Sequence, residues 1–99
     1  MIDFDRFVGF DWDAGNRGKD ARHGVDNREI EQVFANQPLL LAPDALHSAT
    51  ERRYRALGIT DHGRPLMVIF TLRAEATLIR VVSARSMNRK ERRIYGQKT

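Results

Sequence analysis

The chain has 99 residues, 41% of them hydrophobic, with 17 Lys and Arg against 13 Asp and Glu for a formal net charge of +4. Such a length makes one domain, residues 1–99, able to bury about 60–65% of its unfolded surface, which suffices for a small two-layer fold. The absence of cysteine excludes a disulfide scaffold and a thiolate zinc site and fits a reducing compartment. No window approaches the roughly 20 apolar residues that span a bilayer. MIDFDRFVGF lacks a basic start followed by a long apolar run, so no signal peptide and a soluble, cytoplasmic protein are expected.

In chain order, residues 7–12 (FVGFDW) are short, aromatic and roughly alternating, and read as an edge strand. Asp13 would cap a first helix over 14–23 (AGNRGKDARH), with Gly24 closing it as the residue after the cap. Asp26-x-x-Glu29 is a capping box, and Val25 can staple onto Ile30. Ile30, Val33 and Phe34 then form one apolar stripe on a second helix that Asn36-Gln37-Pro38 ends.

Residues 39–41 (LLL) are a short strand stopped by Pro43 and Asp44, and 44–51 is a polar connection. A further strand covers 54–60 (YRALGIT). A two-residue His62-Gly63 loop would put Leu57 and Ile59 on the apolar side of the sheet, and Tyr54, Ala56 and Gly58 on the other. The longest apolar run, 66–72 (LMVIFTL), and 78–82 (LIRVV) are β-branched and aromatic, and read as two central antiparallel strands. With a tight Ala74-Glu75 loop, Arg73 pairs with Ala76, Phe70 with Ile79, Val68 with Val81 and Leu66 with Ser83. One face is then wholly apolar and needs a helix over it, and the other carries Arg80 in mid-strand. Asn88-x-x-Glu91 starts a last helix over 89–95, with Gly96 as its stop. The fold class is therefore α+β: a mainly antiparallel sheet of four to five strands, two helices on one face and a short C-terminal helix.

Positive charge concentrates late in the chain. From Arg80 onward come Arg85, Arg89, Lys90, Arg92, Arg93 and Lys98, with Arg73 on the same hairpin, against the single acid Glu91. That distribution is an electrostatic footprint for a polyanion; a solvated basic face is the bland alternative.

The residues so read closely resemble the BrnT-type toxin family of bacterial type II toxin–antitoxin modules. The likeness runs through GFDWDAGNRGKDARHGV (9–25), EIEQVF (29–34), PLLLAPDALHS (38–48), ERRYRALGITDHGRPLMVIFTLR (51–73) and LIRVVSARSMNRKERRIY (78–95). Arg22 stands where the family more often has lysine. The resemblance implies a RelE-like fold, RNA cleavage without a metal, and a BrnA-type antitoxin encoded alongside. It further implies a toxin–antitoxin hetero-oligomer that contacts DNA only through the antitoxin, with no membrane partner.

Metal-free RNA cleavage uses the ribose 2′-hydroxyl as nucleophile and needs a base, an acid and cations for charge building on phosphorus. Arg80 is the leading candidate, a salt bridge to Glu75 or Glu51 being the alternative. Arg85 and Arg64, side by side in the assumed register, would grip one phosphate. Lys19 and His23, four apart, share a helix face, where the lysine would favour a neutral histidine. His47, with Glu51 four residues on, is a further candidate. Tyr54 and Tyr95 would stack on bases, and Arg73, Arg89, Arg92 and Arg93 would hold the backbone. The three histidines make no metal-ligand spacing, and no cofactor is implied. The rival reading is a non-catalytic RNA- or protein-binding module with the same basic face.

Overall fold

The computed structural model describes residues 9–12, 24–44 and 51–98. The expected helix over 14–23 and three candidates, Lys19, His23 and His47, lie outside them. A five-stranded sheet has the order β1-β5-β4-β3-β2, with β1 Gly9–Phe10, β2 Leu40–Pro43, β3 Tyr54–Ile59, β4 Pro65–Arg73 and β5 Leu78–Ser86. All neighbours are antiparallel except β1, which runs parallel to β5 at one edge. Helices α1 (Asn27–Ala35) and α2 (Arg89–Gln97) complete the described elements.

Helix α1 starts where its capping box predicts. The Asp26 carboxylate accepts the Glu29 N–H at 2.8 Å, and Glu29 returns the bond to the Asp26 N–H at 3.3 Å. The stripe Ile30 and Val33 is fully buried against Val25, Leu66, Val68, Phe70 and Val81. Each such side chain contributes about 1.5–3 kcal/mol by leaving water. Phe34 meets Phe70 edge-on at 5.1 Å, Phe10 meets Phe34 at 5.5 Å, and Trp12 stacks on Phe10 at 5.6 Å. At the other end of α1, the Asn36 amide donates to Ile59 O and to Asp61, both at 2.9 Å, locking the helix to the β3–β4 turn.

Two register differences decide the rest. The β3–β4 loop is three residues, 61–63, with Gly63 at φ +86 and the flanking Thr60 N–H bonded to Arg64 O at 3.0 Å. Left-handed glycine at the end of a three-residue loop is a favoured hairpin closure. One residue more than the expected pair turns all of β3 over. Ala56 therefore pairs with Val68 and Gly58 with Leu66 on the α1 side, while Leu57 pairs with Met67 and points away. Tyr54 goes with Ala56, stacked on Phe70 at 5.6 Å.

The β4–β5 loop is four residues, not two. Phe70 pairs with Val81 and Arg73 with Leu78, and Ala74, Glu75 and Ala76 sit at φ +52, +58 and +69. A slip of two keeps every side chain on its face, so the Arg80 side survives although its pairs change. A β-bulge then intervenes: Phe70 pairs with Val81 but Ile69 with Ser83, leaving Val82 extra. The extra residue brings Ser83 and Arg85 onto the face away from α1, opposite Ile69 and Met67.

With β3 turned over, the second face has an apolar patch of its own: Leu57, Met67, Met87 and Tyr95, flanked by Leu40, Ile59 and Ile69. Helix α2 covers it. Glu91 and Tyr95, one turn apart, are its buried positions, and Arg89, Lys90, Arg92 and Arg93 face solvent. Of the two helices expected on one side, α1 is there and the one over 14–23 lies outside the described residues; the separate C-terminal helix lies on the opposite face. It also runs through Gly96, since glycine permits a left-handed stop without imposing one.

Candidate nucleic-acid interface

The face away from α1 carries a groove of about 320 Å³ between β3–β5 and the start of α2. Met67, Ile69 and Val82 supply its apolar part, Arg53, Arg55 and Arg85 its cations, and Asp44, Ser83 and Glu91 the remaining polar groups. A second cavity, about 410 Å³ on the α1 side, is lined by Phe10, Phe34, Leu39 and Ile79 with no basic residue, and suits no polyanion.

Arg85 enters the first groove because of the bulge. Its two terminal nitrogens donate to the two oxygens of Glu91 at 2.8 and 2.9 Å, a fork-to-fork pair. Glu91 is also the third residue of α2, and accepts the Asn88 N–H at 2.9 Å in a second capping box. Burial pushes the Glu91 carboxyl up, but the bonds from Arg85 and the Asn88 backbone, with the charges of Arg85 and Arg55, outweigh it and leave it below the ordinary range. The Arg85 guanidinium is raised by its bond to Glu91, against the opposing pull of burial.

Arg80 lies farther along β5 on the same face, opposite Thr71, and pairs with Asp11 beside β1 at 3.3 Å. Asp11 is a partner that the sequence reading, with Glu75 or Glu51, did not include; Glu51 holds Arg73, which also donates to the Thr71 hydroxyl at 3.2 Å. The Arg80 side chain keeps 24% of its surface exposed, so it is paired yet reachable.

Three expected placements change. Arg64 does not lie beside Arg85: it donates to Gly24 O at 2.8 Å and to Glu29 at 3.1 Å, and reaches the Ser86 hydroxyl at 3.3 Å, stapling loop, helix and strand. Tyr54 is on the α1 side, against Phe70. Tyr95 is buried, its hydroxyl donating to Pro38 O at 2.7 Å, and burial raises its pKa. Arg89, Arg92 and Arg93 are exposed on α2, as the basic run suggests.

Hydropathy pattern alone passes over Arg53 and Arg55, which bracket Tyr54 at a spacing of two. The signal was present in ERRYR: if the tyrosine faces the core, both arginines face the groove. Glu91 was legible as a cap but not as the partner of Arg85. Among the described residues, no three His, Cys, Asp or Glu side chains gather as metal ligands. No described helix is long and apolar enough to cross a membrane.

Among the described residues, an open sheet has α1 on one face and α2 on the other and bears a groove lined by three arginines, which defines the class as a small single-sheet α+β protein. The family model for the ribonuclease toxin, BrnT, of type II toxin-antitoxin systems matches residues 12–91, and the chain belongs to that family. Membership implies an antitoxin partner. A search of the curated proteins finds no match.

Proposed function

We propose that the protein is a metal-independent endoribonuclease that inhibits growth by cutting RNA laid across the face away from α1. The ribose 2′-oxygen attacks phosphorus in line as the bond to the 5′-oxygen breaks. The 2′-hydroxyl proton passes to a base and the departing 5′-oxygen takes up a proton, leaving a 2′,3′-cyclic phosphate and a 5′-hydroxyl. Arg80 and Arg85 stabilise the charge that develops on the phosphoryl oxygens. Arg64 acts from the opposite side by fixing the backbone at Gly24, next in sequence to His23. Lys19 and His23 are the proposed polar helpers, with His47 and Glu51 as further candidates.

The observation that carries this reading is the bulge at Val82, which brings Arg85 to the face that already holds Arg80 and Arg73. A BrnA-type antitoxin in a hetero-oligomer would silence the toxin and make any DNA contact, in the cytoplasm. Purified protein freed of antitoxin and incubated with RNA in EDTA is expected to produce fragments ending in cyclic phosphate. Arg80→Ala should slow this by about 10²-fold, the scale for losing one transition-state donor. Binding with no strand scission would instead identify a non-catalytic RNA-binding module.

A further inference from the structure

Among the described residues, Arg55 is the groove arginine that no hydrogen bond or ion pair holds. Arg55 is the second residue of β3, between Ala42 of β2 and Ile69 of β4, and it lines the groove. It is exposed, and among the described residues its side chain makes no hydrogen bond or ion pair. Of the two carboxylates in the lining, Glu91 is already committed: both its oxygens accept from Arg85, and one of them also accepts the Asn88 N–H. Arg85 is held in turn, its fork on Glu91, and is assigned with Arg80 to the phosphate under attack. Arg55 therefore feels a negative neighbour without being held by it.

Across the groove stands Ser83, opposite Ile69 and brought to this side by the bulge. Its hydroxyl makes no hydrogen bond among the described residues. The lining has three arginines and two carboxylates, which leaves one formal positive charge. A phosphodiester carries one negative charge; a terminal phosphate carries nearer two. The apolar floor of Met67, Ile69 and Val82 lowers the local dielectric, which strengthens a charged contact made there.

We propose that Arg55 and Ser83 form a subsite for one internal phosphodiester of single-stranded RNA, Arg55 supplying the charge and Ser83 a hydroxyl donor. The subsite deepens the nuclease reading, resting on it for the identity of the strand. It lies toward α2, whereas Arg80 points to Asp11 at the β1 edge, so it grips a phosphate other than the one at Arg80. Arg85 and Glu91 form the wall that keeps Arg55 available.

The test is fluorescence anisotropy with a labelled 2′-O-methyl oligonucleotide, which has no 2′-hydroxyl to attack with and so reports binding alone. Arg55→Gln should weaken binding about tenfold, as expected for a lost charged hydrogen bond. It should also reduce the magnitude of the slope of log affinity against log salt by about 0.7, the single-strand value per phosphate. Arg55→Lys should restore the slope, and Ser83→Ala should weaken binding without altering it. Arg52→Gln removes the same charge at an exposed position outside the groove and should have the smaller effect. Equal losses for Arg55→Gln and Arg52→Gln would overturn the subsite, as would wild-type protein that does not bind the oligonucleotide. Cleavage of the all-RNA strand, followed separately on gels, judges the nuclease reading: tight, Arg55-dependent binding with an intact RNA strand would defeat that reading and leave the subsite standing.

Discussion

Glu91 joins three structures through one carboxylate: the cap of α2, the orientation of Arg85 and the wall of the groove. Its side chain is 7% exposed while that of Arg85 is 37% exposed, so the pair is half screened and belongs at the lower end of charged hydrogen bonds. Replacing Glu91 by Gln should cost roughly 1–2 kcal/mol at neutral pH. The sign of the pH dependence follows from its lowered pKa. The folded state prefers the carboxylate, so this stability is complete above the unfolded value of about 4.3 and fades as pH falls through the folded one. Denaturant midpoints of wild type and Glu91→Gln should thus converge in acid and separate toward neutrality. A gap that stays unchanged all the way from neutrality into strong acid would contradict the pairing.

Among the elements, the contact of α1 with β3 is the most sharply constrained. A Cβ built on Gly58 would meet Val33 Cγ1 at 2.6 Å, Val33 O at 3.2 Å and Leu39 Cδ1 at 3.3 Å. The backbone oxygen cannot move without the helix, so Gly58→Ala should destabilise by about 1–3 kcal/mol through overpacking. The denaturant midpoint should fall with an unchanged m-value, since the fold itself is kept. The same glycine explains the side that β3 chooses. Turned the other way, Leu57 would stand where the helix comes closest, and no space exists there for it.

For the molecule as a whole, charge is divided between the faces. The cavity on the α1 side is lined by aromatic and aliphatic residues with Glu31 and Gln37 and has no basic residue, while the groove side gathers Arg53, Arg55, Arg73, Arg80 and Arg85 with the exposed arginines of α2. A polyanion held on such a face releases counterions, so affinity should drop steeply with salt. With three to five phosphates neutralised, single-stranded RNA should bind with a log–log slope of roughly −2 to −3.5. A flat salt dependence in anisotropy titrations would argue for a partner held by apolar contacts instead.

Local chemistry in the chain determined much of this by itself. Both capping boxes, Asp26/Glu29 and Asn88/Glu91, the apolar stripe of α1, the existence of four principal strands and the resemblance over 9–95 all depend on neighbours within a few residues or on ordered matches along the chain. What only tertiary structure decided was which way those strands face. Side chains alternate with a period of two, so a three-residue turn in place of two moved Tyr54 into the core, and one unpaired residue at Val82 carried Arg85 into the groove. Loop length and a bulge are set by long-range packing, here Gly58 under Val33 and Tyr95 over Leu57, and hydropathy carries no record of either. The partners of Arg80, Arg64 and Arg85 are remote or newly adjacent for the same reason: a salt bridge across a sheet depends on register, and register is decided only when the layers close.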